Sequence, residues 1–248
     1  MYVRLGSTRR HWNRLAAADP LWAVLTDHDK KGNRWSVDEF FALGSAEVAS
    51  IMAEVRRYHP ALRTSEALDF GCGVGRLSQG LAPHFERVIG LDIAEKMLSQ
   101  ARLHNRHGQR VSYVHNTKPD LRLFADGRFN FVLSLITLQH KEPAYARRYI
   151  AEFVRVCAAG GIVYFQVPSR VGPSRRPFTL WPDILARRCY RDLRSKFWLK
   201  EPVMAMHAIP QAEIETILRR AGAELLRVAP LDAADEEIES RGYLCRRP

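Results

Sequence analysis

The most constraining feature is a glycine cluster at the junction of two patterns, Leu68-Asp-Phe-Gly-Cys-Gly-Val-Gly-Arg76. A strand-like apolar run ends at Phe70, and a helix-like stretch begins near Gly75. Glycine belongs where the backbone turns sharply or approaches a ligand closely. In an open parallel sheet, the carboxyl ends of the strands frame the ligand crevice. The cluster is therefore a strand-to-helix turn facing a ligand. About twenty residues on, Val88-Ile-Gly-Leu-Asp92 is a second strand that ends in a carboxylate, able to accept hydrogen bonds from two ribose hydroxyls. A dinucleotide fingerprint of G-x-G-x-x-G form fits at Gly71 and Gly73 but fails at Arg76. Asp92 alone suits a nicotinamide cofactor equally well.

Short apolar runs alternate with helical stretches from Ala61 onward. Strands are predicted at 66–70, 87–92, 110–115, 129–135 and 161–167, with helices near 75–83, 94–106 and 143–158. That alternation implies a mostly parallel sheet covered on both faces. Pro210 opens a further helix to about Ala221, and strands at 223–229 and 240–246 follow. The tight acidic connection between these last two suits an antiparallel hairpin, giving seven strands in all. Upstream of Ala61 the chain reads as helical. Asp19-Pro20 interrupts a helix over 11–27, and Ser36-Val-Asp-Glu39 has capping-box spacing. Gly44-Ser45 is expected to end that short helix and cap another, which stops at His59-Pro60. The predicted organisation is a helical N-terminal lid over 1–60 and a doubly wound α/β domain over 61–248.

With 46% hydrophobic and 26% charged residues, the 248-residue chain has an ordinary globular composition. No run approaches the ~18 apolar residues of a membrane span, and no apolar stretch follows Arg4, Arg9 and Arg10, so a cytoplasmic location is expected. Cys72, Cys157, Cys189 and Cys245 form no CxxC pair, the histidines show no metal-ligand spacing, and no metal is expected. The net charge of +11 is local: residues 170–200 hold nine basic and two acidic side chains, whereas 232–239 form an acidic run. Such a local field suggests a partner or substrate contact.

The order Asp69-x-Gly71-x-Gly73-x-Gly75, with Asp92 closing the next strand, resembles the first motifs of class I S-adenosylmethionine-dependent methyltransferases, in particular bacterial small-molecule enzymes. The likeness runs from about Ala61 to Val167, and more weakly over the last forty residues. It implies S-adenosyl-L-methionine as cofactor. Asp92 would then hold the ribose, the Gly71-Cys72-Gly73-Val74-Gly75 backbone would lie against the methionine moiety, and Asp69 would reach its amino group directly or through water. Asn116 would stand near the adenine, and Ser134 at the end of the fourth strand, where methyl transfer occurs in this family. Two departures are visible: Asn130 replaces the usual Asp of that strand, and Ala159 the proline of a Pro-Gly-Gly turn at Ala158–Gly161.

Methyl transfer from a sulfonium needs alignment, exclusion of water and, for some acceptors, removal of a proton. No nucleophile motif is therefore expected. His140, directly after the fourth strand, is the candidate base, with a purely positioning role as the alternative. His207 reads first as a packing histidine. Trp12, Trp22, Phe40 and Phe41 either line the lid or simply pack. The basic segment 169–207, after the fifth strand, holds the position that commonly supplies the acceptor pocket. A solvated amphipathic helix carrying Trp181, Leu185, Cys189 and Phe197 explains it, as does contact with an anionic acceptor, RNA or an anionic membrane surface. The reading that results is methyl transfer to oxygen or nitrogen of a small or sugar-like molecule, with an anionic acceptor as one form of it. An RNA methyltransferase and a catalytically silent cofactor-binding subunit stand as alternatives.

Overall fold

A computed structural model describes residues 5–171, 206–231 and 238–248. Most of the basic segment, including Trp181 to Phe197, and the acidic run over 232–237 lie outside the described residues. Seven strands form one sheet in the order β3-β2-β1-β4-β5-β7-β6. They are β1 (Glu66–Phe70), β2 (Arg87–Asp92), β3 (Val111–His115), β4 (Phe129–Ser134), β5 (Cys157–Val171), β6 (Glu224–Leu231) and β7 (Ile238–Arg246). The first five are parallel, and β7 runs antiparallel to both β5 and β6. The chain moves outward one way from β1 to β3 and then the other way from β4. The switch point therefore lies between β1 and β4, where an open α/β sheet leaves a crevice.

Alternation along the strands divides the core in two. Leu68 and Phe70 face α6 (Pro143–Val156) and α7 (Gln211–Arg220), packing with Tyr149, Phe153, Ile214 and Leu218. Ala67, Phe131 and Leu133 face the other way, toward α3 (Val37–Tyr58) and α4 (Arg76–Leu81). Helix α5 (Glu95–Leu103) follows β2. Pro210 is the N-cap of α7, one residue before the helix proper.

The N-terminal helices α1 (Leu5–Ala18) and α2 (Pro20–Val24) contribute Leu15 and Leu21 to a cluster with Trp35, with Phe40 and Phe41 of α3, and with Val74, Ala94 and Met97. One carboxylate organises this leader. Asp19 caps α2 by accepting from Trp22 N at 3.2 Å, and it also accepts from Gly32 N and Asn33 N at 2.7 and 2.8 Å. Asn13 of α1 supplies the cap that α5 lacks, accepting from Lys96 N at 3.0 Å.

The expected helix end at Gly44-Ser45 is wrong. α3 runs through it to Tyr58, starting from the expected cap, Ser36. Gly44 is there for packing: a Cβ at this position would lie 2.4 Å from Arg76 Cγ and 2.7 Å from Arg76 O. Helix propensity alone would make Gly44→Ala stabilising by about 1 kcal/mol. The contact with a backbone carbonyl must outweigh that gain, because α4 cannot move without moving the glycine turn. Gly44→Ala is expected to lose about 1–3 kcal/mol, the usual range for overpacking, as a lower midpoint in urea unfolding. A gain would show that α3 can lift from α4 freely.

Candidate functional site

The glycine turn is built as the sequence requires. Gly71 N and Cys72 N both donate to Leu91 O, at 2.7 and 3.1 Å, which ties the turn to the end of β2. Gly71 (φ +78°) and Gly75 (φ +83°) adopt left-handed conformations, and a Cβ on Gly71 would meet the Thr137 side chain at 2.2 Å. Asp92 closes the arrangement. Its Oδ2 accepts from Gly73 N at 3.0 Å and its Oδ1 from Ala94 N at 2.8 Å. A carboxylate has about four acceptor sites, so roughly two remain for a ligand.

These groups border a cleft of about 690 Å³, counting space open to solvent, with Gly71, Gly73, Asp92 and Asn116 on its walls. Asn116 is held in place: it donates to Asp120 O at 2.8 Å and accepts from Lys118 N at 2.9 Å. Trp12, Ala23 and Val24 of the leader close the outer side. Trp22 instead donates its indole N–H to Asp27 O, and Phe40 and Phe41 are buried in the leader's own core.

Four other candidates, Asp69, Cys72, Gly75 and Ser134, stand off the cleft; Gly75 is the N-cap of α4. Asp69 points to the α4 face, is buried, and accepts from Ser78 Oγ at 2.6 Å. Burial pushes its carboxyl up to about 7, against the opposing pull of the Ser78 hydroxyl and the Arg76 guanidinium. Ser134 is fully buried and its hydroxyl has no partner among the described residues. The Cys72 thiol lies inside the turn, raised by burial and by the nearby Asp92 and Asp69 carboxylates. Asn130 has a structural task, accepting from Glu66 N at 3.2 Å to join β4 to β1.

A second, larger cavity of about 2210 Å³, again counting open space, adjoins the first. The two share Ala23, Val24, Leu135 and Ile136. Ile136 has φ +55°, a genuine outlier for a β-branched residue. Such strain costs on the order of 1–3 kcal/mol and persists only where the surroundings enforce it. Here Ile136 N donates to Gln166 Oε1 at 3.2 Å, and Gln166 donates to Ser240 Oγ at 2.8 Å. His140, in the turn Leu138–His140, lines this second cavity, edge-on to Trp12 at 5.2 Å. Its Nε2 lies 3.3 Å from Gln139 Nε2, so the amide can donate only to an unprotonated Nε2. His207 N donates to Gln139 O, which anchors the same turn from the far side.

A residue the sequence reading passed over, Lys141, is buried on the wall of the first cleft. Burial lowers its ammonium, while Asp92 pulls the other way. Its only visible signal was its place just after the fourth strand.

A parallel sheet with one antiparallel strand, β7, set between β5 and β6, and with a glycine turn and an acid at its switch point, is the fold of class I S-adenosylmethionine-dependent methyltransferases. Residues 67–161 match a family described as a methyltransferase domain, and the chain carries that domain. The chain is 32% identical over 157 residues to the ubiquinone biosynthesis O-methyltransferase of Aromatoleum aromaticum, across 62% of this chain and 64% of that one. It is 27% identical over 208 residues to its counterpart from Nitrosococcus oceani, across 84% of each. The match to the Bordetella pertussis enzyme, at 35% identity, spans 44% of this chain and 45% of that one, less than half of either. Among solved structures, magnesium protoporphyrin IX methyltransferase from Synechocystis PCC 6803, with bound S-adenosylhomocysteine, superposes with a TM-score of 0.66 at 19% identity, over 98% of this chain and 99% of that one. N-methyltransferase NodS from Bradyrhizobium japonicum WM9, also with S-adenosylhomocysteine, gives 0.60 at 17% identity, over 97% and 98%.

Proposed function

We propose that this protein transfers a methyl group from S-adenosylmethionine to oxygen or nitrogen of a small molecule. The observation that carries the reading is the pair of cavities meeting at Val24 and Ile136, one bordered by the glycine turn and Asp92, the other by His140. The first fits the cofactor, because the turn leaves a cradle that side chains would fill and Asp92 keeps acceptor capacity for the ribose. S-adenosylmethionine supplies an activated methyl group on a sulfonium. The leader shields the cleft from water through Trp12 and Val24, and His140 stands where an acceptor's proton could be taken. Asp69 supports the turn from behind.

The described walls of the second cavity carry Asp27, Glu47 and Glu54, and among the described residues no lysine or arginine. Glu47 is paired with buried Arg76 at 2.7 Å, and Glu54 with Arg227. These walls favour a neutral, hydrogen-bonding acceptor. An anionic one would need its countercharge from residues 172–205. No helix among the described residues is long and apolar enough to cross a membrane.

S-adenosylhomocysteine at about 100 times its Kd should add roughly 2.7 kcal/mol of stability. For a chain of this length that is a rise in Tm of about 5–10 °C. NAD and NADP should give no rise. Thermal unfolding with each ligand decides the matter, and a shift with NAD alone would sink the reading.

A further inference from the structure

We infer that Lys141 is a cofactor-binding residue that donates a hydrogen bond to the adenosine half of the ligand. The inference rests on the methyltransferase reading of the cleft. Lys141 is 7% exposed, and its side chain borders the cleft in company with Phe70, Asp92, Asn116 and Tyr149. Among the described residues its ammonium has neither a hydrogen bond nor an ion pair; its recorded contact is the Phe70 ring, whose centroid lies 6.0 Å from Nζ. Two of the neighbouring polar side chains are engaged elsewhere: Asn116 is bound at both ends, and Tyr149 donates to Lys118 O at 2.8 Å. Asp92 takes the Gly73 and Ala94 amides and keeps its remaining acceptor sites for the ligand.

An ammonium withdrawn from water with no partner is unfavourable, and such a group is normally paired or neutralised. Burial does pull this one toward its neutral form, and the Asp92 carboxylate counters only part of that. The group is also placed to be used. It shares the cleft with the acid assigned to the ribose, and it approaches the ring of Phe70, which ends β1. A ring nitrogen of adenine or a ribose oxygen supplies the missing acceptor. Asp92 and Lys141 then complement each other, one accepting from the ligand and the other donating to it. The lysine costs the free protein stability and returns it on binding.

The test compares wild type, Lys141→Met and Lys141→Arg as full chains, by titration calorimetry and thermal unfolding. The probes are S-adenosylhomocysteine and 5′-methylthioadenosine, which keeps the adenosine but lacks the amino-acid half. Methionine fills a similar volume without a charge, so Lys141→Met should fold and melt higher than wild type when free. It should bind both ligands about 10–100-fold more weakly, the range for a hydrogen bond from a charged donor. Lys141→Arg should recover part of that loss. Equal affinity of wild type and Lys141→Met for both ligands would overturn the inference and leave the methyltransferase reading intact. Loss for S-adenosylhomocysteine alone would also overturn it, by placing the contact on the amino-acid half. Failure of wild type to bind S-adenosylhomocysteine would instead bring down the underlying reading, and this inference with it.

Discussion

Turnover in a His140→Ala variant should fall by about 10²–10⁴-fold, the range for losing a positioned acid–base group. S-adenosylhomocysteine should bind this variant as tightly as wild type, because His140 borders the second cavity and not the first. The rate of the wild type should also rise with pH, because a general base must be unprotonated. The imidazole accepts a proton only when neutral, and the Gln139 amide can donate only to a neutral Nε2. To act as base through Nε2, the ring must exchange that contact for the acceptor. Steady-state assays across pH, beside calorimetry of both proteins, test the role. A variant that keeps nearly full activity and a flat pH profile would show His140 to be a wall of the cavity, with alignment as the whole mechanism.

Asp92→Ala should bind S-adenosylhomocysteine at least about 10²-fold more weakly, through loss of two hydrogen bonds to a charged acceptor. It should also be less stable when free. Gly73 N and Ala94 N lose their acceptor, and each orphaned donor costs about 1–3 kcal/mol to the extent that water cannot replace it. Asp92→Asn separates these effects, since its carbonyl can still accept one amide. Titration calorimetry and urea unfolding measure the two quantities independently. Unchanged affinity in Asp92→Ala would mean that the ribose lies elsewhere.

The parallel strands were legible because both faces are covered. Val88–Leu91 is an unbroken apolar run and Glu66–Phe70 is apolar at Ala67, Leu68 and Phe70, and the expected ends of both strands coincide with the structure. The end of β5 was not legible. It continues past Val167 to Val171 across an irregularity at Pro168/Arg170, because β7 pairs with it there, and pairing between distant segments leaves no local mark. Gly44 was misread for a related reason. Glycine marks a helix end and a close helix crossing equally well, and only the approach of Arg76 distinguishes them.

Within the site, the glycine turn and Asp92 could be placed from spacing alone. Asp69 was harder: a strand's two-residue period separates it from Phe70, but helices cover both faces and nothing local says which side the cleft opens on. Lys141 was overlooked despite its place just after the fourth strand, because a lysine between His140 and Glu142 reads as a solvated loop residue. It is enclosed by Phe70 and Tyr149, which come from β1 and α6.

The two cavities draw on different stretches of chain. The glycine turn and Asp92 come from the sheet, whereas Asp27, Trp35, Glu47, Leu231 and Ser240 of the second cavity come from the leader, α3 and the last two strands. With the roles proposed above for the two cavities, inherited variation in those outer parts would reshape the acceptor chamber while the donor half stays fixed, and lineages that share this sheet would diverge in acceptor through changes at either end of the chain. The boundary of that freedom is the wall common to both chambers. A substitution at Val24 or Ile136 alters both at once, so these two positions should drift more slowly than the rest of the chamber around them.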